Sequence, residues 1–246
     1  MRDTESAPLP PSHARFGEGI PLRFALAVLS GLILIHALRL GLLAGPERAW
    51  LAVSALFLLA SLAVARLMRR AYPHARLGGC NVVTLMRVAM TCALLAPLLI
   101  GKAGGAYVAL IAGVALALDG VDGWLARRSG LVSSFGARFD IEADAALALV
   151  LSLHVLVAGT VGPVVLLLGL MRYAFVVAGL FWGWLTAPLP PSLRRKAVCV
   201  LQIAALILLQ LPFLPDTVPQ LLAWGAVLAL SWSFATDILW LARARK

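Results

Sequence analysis

The chain has 246 residues, 62% hydrophobic and 13% charged, with a formal net charge of +10. A water-soluble domain carries about 25% charged residues, so a single soluble core is excluded, and the apolar residues fall into repeated runs long enough to cross a bilayer. Cys80, Cys92 and Cys199 lack metal-ligand spacing, which excludes a cysteine-built zinc site or a disulfide scaffold; arginines in short loops between apolar runs suit anionic lipid headgroups, not nucleic acid.

Residues 1–21 are polar, mixed in charge and proline-rich, and are expected to form a cytoplasmic tail rather than a cleaved signal peptide. A span needs about 20 apolar residues. Eight runs qualify: 22–43, 49–68, 82–101, 105–125, 140–160, 163–185, 196–213 and 219–241. Glycines at 101–105 separate the third and fourth, and the segment TAPLP at 186–190 introduces the seventh. With the N-terminus in the cytoplasm, Arg23, Arg66, Arg69, Arg70, Arg76, Arg127, Arg128, Arg138, Arg194, Arg195, Lys196, Arg243 and Arg245 lie inside, with Arg2, Arg15 and Lys246 at the ends. The other side receives Arg39, Arg48 and Lys102. That asymmetry follows the positive-inside rule, and an odd number of spans before Arg66 would destroy it. Both termini are therefore expected in the cytoplasm.

Acidic residues break the apolar pattern at one place. The fourth run ends with Asp119 and Asp122 embedded in it, and the fifth begins with Asp140, Glu142 and Asp144. Charge inside a span is costly and marks function by default. The first pair is spaced i,i+3 and the pair Asp140 and Asp144 is spaced i,i+4, so each lies on one helix face. Two antiparallel helices would direct four carboxylates into one cleft, where like charges repel unless cations neutralise them. Oxygen ligands with no nearby histidine or cysteine favour Mg²⁺ or Mn²⁺ over zinc or copper. Glu142 falls about 200° from Asp140 around the helix and is expected to point elsewhere. The plain alternative pairs these acids with Arg127, Arg128 and Arg138 at the headgroup interface. Gly120, Gly123 and Gly136 add room for a phosphate-bearing ligand or a neighbouring backbone, with helix packing the competing role for Gly120.

The stretch Asp119-Gly-Val-Asp122-Gly123-Trp-Leu-Ala126-Arg127, followed after eight residues by Gly136-Ala-Arg-Phe-Asp140-Ile-Glu-Ala-Asp144, resembles the signature of the CDP-alcohol phosphatidyltransferase family, D-x2-D-G-x2-A-R-x8-G-x3-D-x3-D, at every specified position. The segment Asn81-Val-Val-Thr84-Leu-Met-Arg87 is similar to the N-x-x-T-x-x-R element that opens the first core helix of many members. The apolar runs predict an all-α polytopic membrane protein; the resemblance implies a six-helix catalytic core over 78–246, and the two additional transmembrane helices within 22–77 lie outside the family's usual core. It implies metal-dependent transfer of a phosphatidyl or related substituted phosphate group from a CDP-linked donor to a small alcohol, with release of CMP, in phospholipid synthesis. Asp119, Asp122 and Asp140 would ligate a pair of Mg²⁺ or Mn²⁺ ions. Asp144 would contribute a ligand and act as the base that deprotonates the acceptor. Gly123, Ala126, Arg127 and Gly136 would border the cytidine diphosphate, with Asn81 and Thr84 in the donor pocket. The family commonly works as homodimers, on which this sequence is silent. The setting implied is a bacterial cytoplasmic (inner) membrane, with the active site facing the cytoplasm.

Arg172, inside the sixth run, and the cluster Arg194, Arg195 and Lys196 are candidates for acceptor or phosphate binding; a phosphorylated acceptor, led by glycerol 3-phosphate, would suit them. Their competing roles are a structural ion pair and a positive-inside anchor. CDP-diacylglycerol is the expected donor; the reverse pairing, a soluble CDP-alcohol with a lipid acceptor, uses the same chemistry. A cation-dependent transporter is the reading from another class, and it predicts acids along a path across the membrane rather than at one face. Asp237, in the last run, is expected to pair with Arg243.

Overall fold

The computed structural model describes residues 19–215 and 217–245, all of their regular structure helical. Arg2, Arg15, Lys246 and most of the predicted tail lie outside the described residues. Nine α-helices follow in order among the described residues: α1 (Gly19–Gly41), α2 (Glu47–Ala71), α3 (Gly79–Ala93), α4 (Leu95–Leu99), α5 (Ala106–Ser129), α6 (Ser134–Ala158), α7 (Leu166–Phe181), α8 (Leu193–Leu208) and α9 (Thr217–Ala244). Counting α3 and α4 as one broken span, and α7 with the 3-10 turn Pro163–Val165 before it, seven are long and apolar enough to cross a membrane. The protein is an integral membrane protein with a six-helix core, α3 to α9, preceded by two extra spans.

Three spans differ from the sequence expectation in ways that bear on the site. The seventh span is a 16-residue helix, Leu193–Leu208, that starts before the predicted 196 and stops short of Pro212. Helix α6 begins six residues earlier than predicted, because Ser133 accepts a hydrogen bond from the Gly136 amide at 3.0 Å and caps it there. Asp140 therefore sits in the second turn rather than at the helix head. The third span breaks at Leu94, since Pro97 has no N–H to return to the Ala93 carbonyl. His154 mends that break: its Nε2 donates to Leu94 O at 2.7 Å, while Nδ1 accepts from Gly104 N at 3.0 Å. A fully buried histidine with both nitrogens engaged is structural.

Helices α3 and α6 form the axis of the bundle and are the most enclosed. Leu85, Ala89 and Ala93 of α3 pack with Leu147, Leu151 and Val155 of α6. Peripheral helices turn Leu40, Leu180 and Leu193 outward, as a lipid environment permits. In a bilayer, association relies on close backbone approach more than on burial from water. Gly169 of α7 illustrates this: an added Cβ would lie 2.8 Å from Leu149 Cα and overlap Ser152 Oγ of α6. Gly169→Ala should force α6 and α7 apart and cost about 1–3 kcal/mol. A lowered thermal midpoint in detergent is the expected result; an unchanged one would show that the two helices slide apart freely.

Candidate active site

The carboxylates converge at the end of the bundle where α3 and α6 begin and α5 ends. Helix α5 terminates in Gly130, whose φ of 66° is the left-handed geometry that glycine adopts without strain. The short loop after it returns the chain to the Ser133 cap. This turn sets α5 and α6 antiparallel, so that the i,i+3 stripe of one faces the i,i+4 stripe of the other. Oxygens of Asp119, Asp140 and Asp144 come within 4.8 Å of one another. Asp122, 4% exposed, turns instead towards α3, where it accepts from Thr84 Oγ1 at 3.2 Å.

Arg87 of α3 occupies the centre. Its Nη1 lies 3.1 Å from Asp119, 3.0 Å from Asp122 and 2.5 Å from Asp140, and its Nη2 contacts Asp144. The side chain is 2% exposed. One guanidinium against four carboxylates leaves excess negative charge in a poorly solvated place, and low dielectric makes that charge expensive. A divalent cation fits this donor set: three converging hard oxygens, no soft ligand among them, and uncompensated charge. The basic loop does not neutralise the acids. Arg128 stacks on Trp124 at 5.0 Å, Arg127 folds back over Gly123, and among the described residues only Arg87 forms ion pairs with the four aspartates.

Two regions flank the acids. On the α3 side, Asn81 is buried and its Nδ2 has no partner among the described residues. A Cβ on Gly136 would come within 3.3 Å of Asn81 Oδ1, whereas one on Gly120 would meet nothing within 4 Å. Gly120 therefore faces open space, and its packing role is not realised within the described chain. Ala126 is half-buried on the same stretch of α5. On the other side lies a cavity of about 680 Å³, lined by Asp119, Asp140 and Asp144 and by Arg172, Arg195 and Lys196.

The sequence profile of the CDP-alcohol phosphatidyltransferase family matches residues 79–235. The chain belongs to that family. It is a CDP-alcohol phosphatidyltransferase enzyme, and the match begins at the first residue of α3, leaving α1 and α2 outside. No curated protein and no solved structure matches the chain.

Among the transferase's sequence-predicted residues, Arg172 reaches the cavity but is also paired, its Nη2 2.5 Å from Glu142 Oε1. Glu142 pairs with Arg172 and is not among the three converging carboxylates. Arg194 is held against α9: it donates to Ser233 O at 2.6 Å, to Ser233 Oγ at 2.7 Å and to Asp237 at 2.5 Å, and packs over Trp232. Asp237 thus pairs with Arg194 and, at 3.3 Å, with Arg195, not with Arg243; the nearest basic residue in sequence lies on the wrong face, while the start of α8 abuts the end of α9. Lys196 has no ion pair among the described residues and is exposed at the cavity. Two site residues receive no role from the sequence, although Arg87 closes the N-x-x-T-x-x-R element. Arg87 carried a signal, a lone arginine in an apolar run one turn after Thr84. Cys199, whose Sγ donates to Asp144 Oδ2 at 3.6 Å, carried none.

Proposed function

We propose that the transferase moves a phosphatidyl group from CDP-diacylglycerol to the hydroxyl of a phosphorylated small alcohol, with glycerol 3-phosphate the leading acceptor. The observation that carries the reading is the convergence of Asp119, Asp140 and Asp144 at a cavity whose largely apolar wall also presents Arg138, Arg172, Arg195 and Lys196. These three aspartates would hold the first divalent cation, and Asp122 would turn to a second. Bound there, Mg²⁺ or Mn²⁺ neutralises the donor's diphosphate and the charge that develops on departing CMP.

The chain's own residues do the rest. Asn81, with its Nδ2 unpartnered among the described residues, and Thr84 border the cytidine side together with Gly123, Ala126 and Gly136, where missing or small side chains leave room for a diphosphate. Arg127, lying over Gly123, can swing to that diphosphate. The acceptor enters the cavity with its phosphate towards Lys196 and Arg172, the latter exchanging Glu142 for the phosphate. Asp144 takes the acceptor's hydroxyl proton; the alkoxide oxygen bonds to the lipid-linked phosphorus, and the bond from that phosphorus to the bridging oxygen breaks in line, its electron pair leaving with CMP. Arg87 stays fixed among the acids and holds Asp140 and Asp144 in register. A cytoplasmic site suits a water-soluble nucleotide product, and the positive-inside asymmetry supports that orientation.

The test is CMP release by purified protein in detergent with CDP-diacylglycerol and a panel of alcohols, with and without Mg²⁺ or Mn²⁺. Metal-dependent release with glycerol 3-phosphate, weakened in Arg172→Gln through a raised acceptor KM, is the expected result. Release with a neutral alcohol such as serine or inositol, unaffected by Arg172→Gln, would overturn the acceptor. Release only from a CDP-choline-type donor with diacylglycerol would reverse the donor assignment.

A further inference from the structure

The two helices outside the family match end against the catalytic turn. Tyr72 caps α2, its N–H bonded to Met68 O at 2.9 Å. Its hydroxyl donates to Arg76 O at 2.9 Å and accepts from Gly78 N at 3.0 Å. One buried phenol therefore closes the linker between α2 and α3 and sets where α3, with Asn81 in its first turn, begins. The same ring meets Phe135 edge-on, with centroids 5.9 Å apart at 77°, and Phe135 packs on Phe139 at 6.2 Å. Ile20 of α1, Met68 of α2 and Leu77 complete this cluster, which is separate from the main core.

Phe135 and Phe139 are i,i+4 neighbours in the first turns of α6, each immediately preceding a signature residue, Gly136 and Asp140. A second tie runs alongside, from His74 Nε2 to Val132 O at 3.2 Å. The loop it grips is the one that turns α5 into α6.

We infer that the extra helices are a brace for the catalytic turn, and that Tyr72 is a positioning residue that sets the entry of α6 and thereby Gly136 and Asp140. The inference rests on the reading of Asp140 as a metal ligand. Aromatic edge contacts and the two hydroxyl hydrogen bonds add to one another, so losing the hydroxyl loosens the turn partly and losing the ring loosens it further.

The experiment compares full-length wild type, Tyr72→Phe and Tyr72→Leu in detergent by two readouts. Amide hydrogen exchange across 133–140 should accelerate modestly in Tyr72→Phe and about tenfold in Tyr72→Leu, with α7 to α9 unchanged. Mn²⁺ half-saturation, read by electron paramagnetic resonance, should rise in the same order, by about tenfold in Tyr72→Leu, as when an outer-shell partner of a metal ligand is removed. Unchanged exchange in 133–140 would overturn the brace. Faster exchange with unchanged Mn²⁺ binding would reduce Tyr72 to a packing residue and overturn its positioning role. If Tyr72→Leu does not fold, Tyr72→Phe decides on the same two readouts. Wild type that binds Mn²⁺ but releases no CMP from any donor would sink the proposed reaction and leave the brace measurable.

Discussion

Asp144→Asn should lower CMP release by about 10²–10⁴-fold, the range expected for loss of a general base. Asparagine has the same shape, and its carbonyl oxygen can still accept from one of the two donors that Asp144 meets, Arg87 and Cys199. The thermal midpoint should therefore shift little, and the defect should appear in kcat rather than in donor KM. The measurement is single-turnover CMP release at saturating metal. A variant within about threefold of wild type would remove Asp144 from the proton transfer and move the base to another of the three converging carboxylates.

Arg87→Ala should be the most destabilising single substitution in the site. Arg87 alone, among the described residues, ion-pairs with all four aspartates, and it is buried. Removing one partner of a buried ionic group leaves uncompensated charge and costs about 3–5 kcal/mol. A cation that binds the folded state should recover part of that loss by mass action. Saturating Mg²⁺ is therefore expected to raise the thermal midpoint of Arg87→Ala more than that of wild type. Arg87→Lys keeps the charge but not the planar fork that reaches several carboxylates at once, so its midpoint should fall between the two. Wild-type stability in Arg87→Ala without added metal would show that the guanidinium is not the counter-charge that the acids require.

Local periodicity explains why much of the site was visible before any coordinates. The i,i+3 spacing of Asp119 and Asp122 and the i,i+4 spacing of Asp140 and Asp144 are properties of single helices, and the short loop between them forces an antiparallel return. Contacts between distant segments had no such signal. Sequence alone pairs Asp237 with Arg243 near the chain's end, but its partners are 42 and 43 residues away, on α8. The basic residues of the loop were close in sequence to the acids, yet Arg128 is taken up by Trp124, and the neutralising cation comes from α3 instead.

What the sequence by itself determined is what the bilayer and the backbone enforce locally: all-helical spans, their near-even spacing, the face on which the acids gather and the hard-cation chemistry they imply. Only the tertiary structure decided that Arg87 stands among the four acids, that Asp122 turns to Thr84 while three others converge, and that Tyr72 ties the extra helices to the start of α6. Each of those depends on the rotation and depth of one helix against another. Those are set by close packing of many side chains, such as Gly169 against Leu149, and not by any residue's own preference.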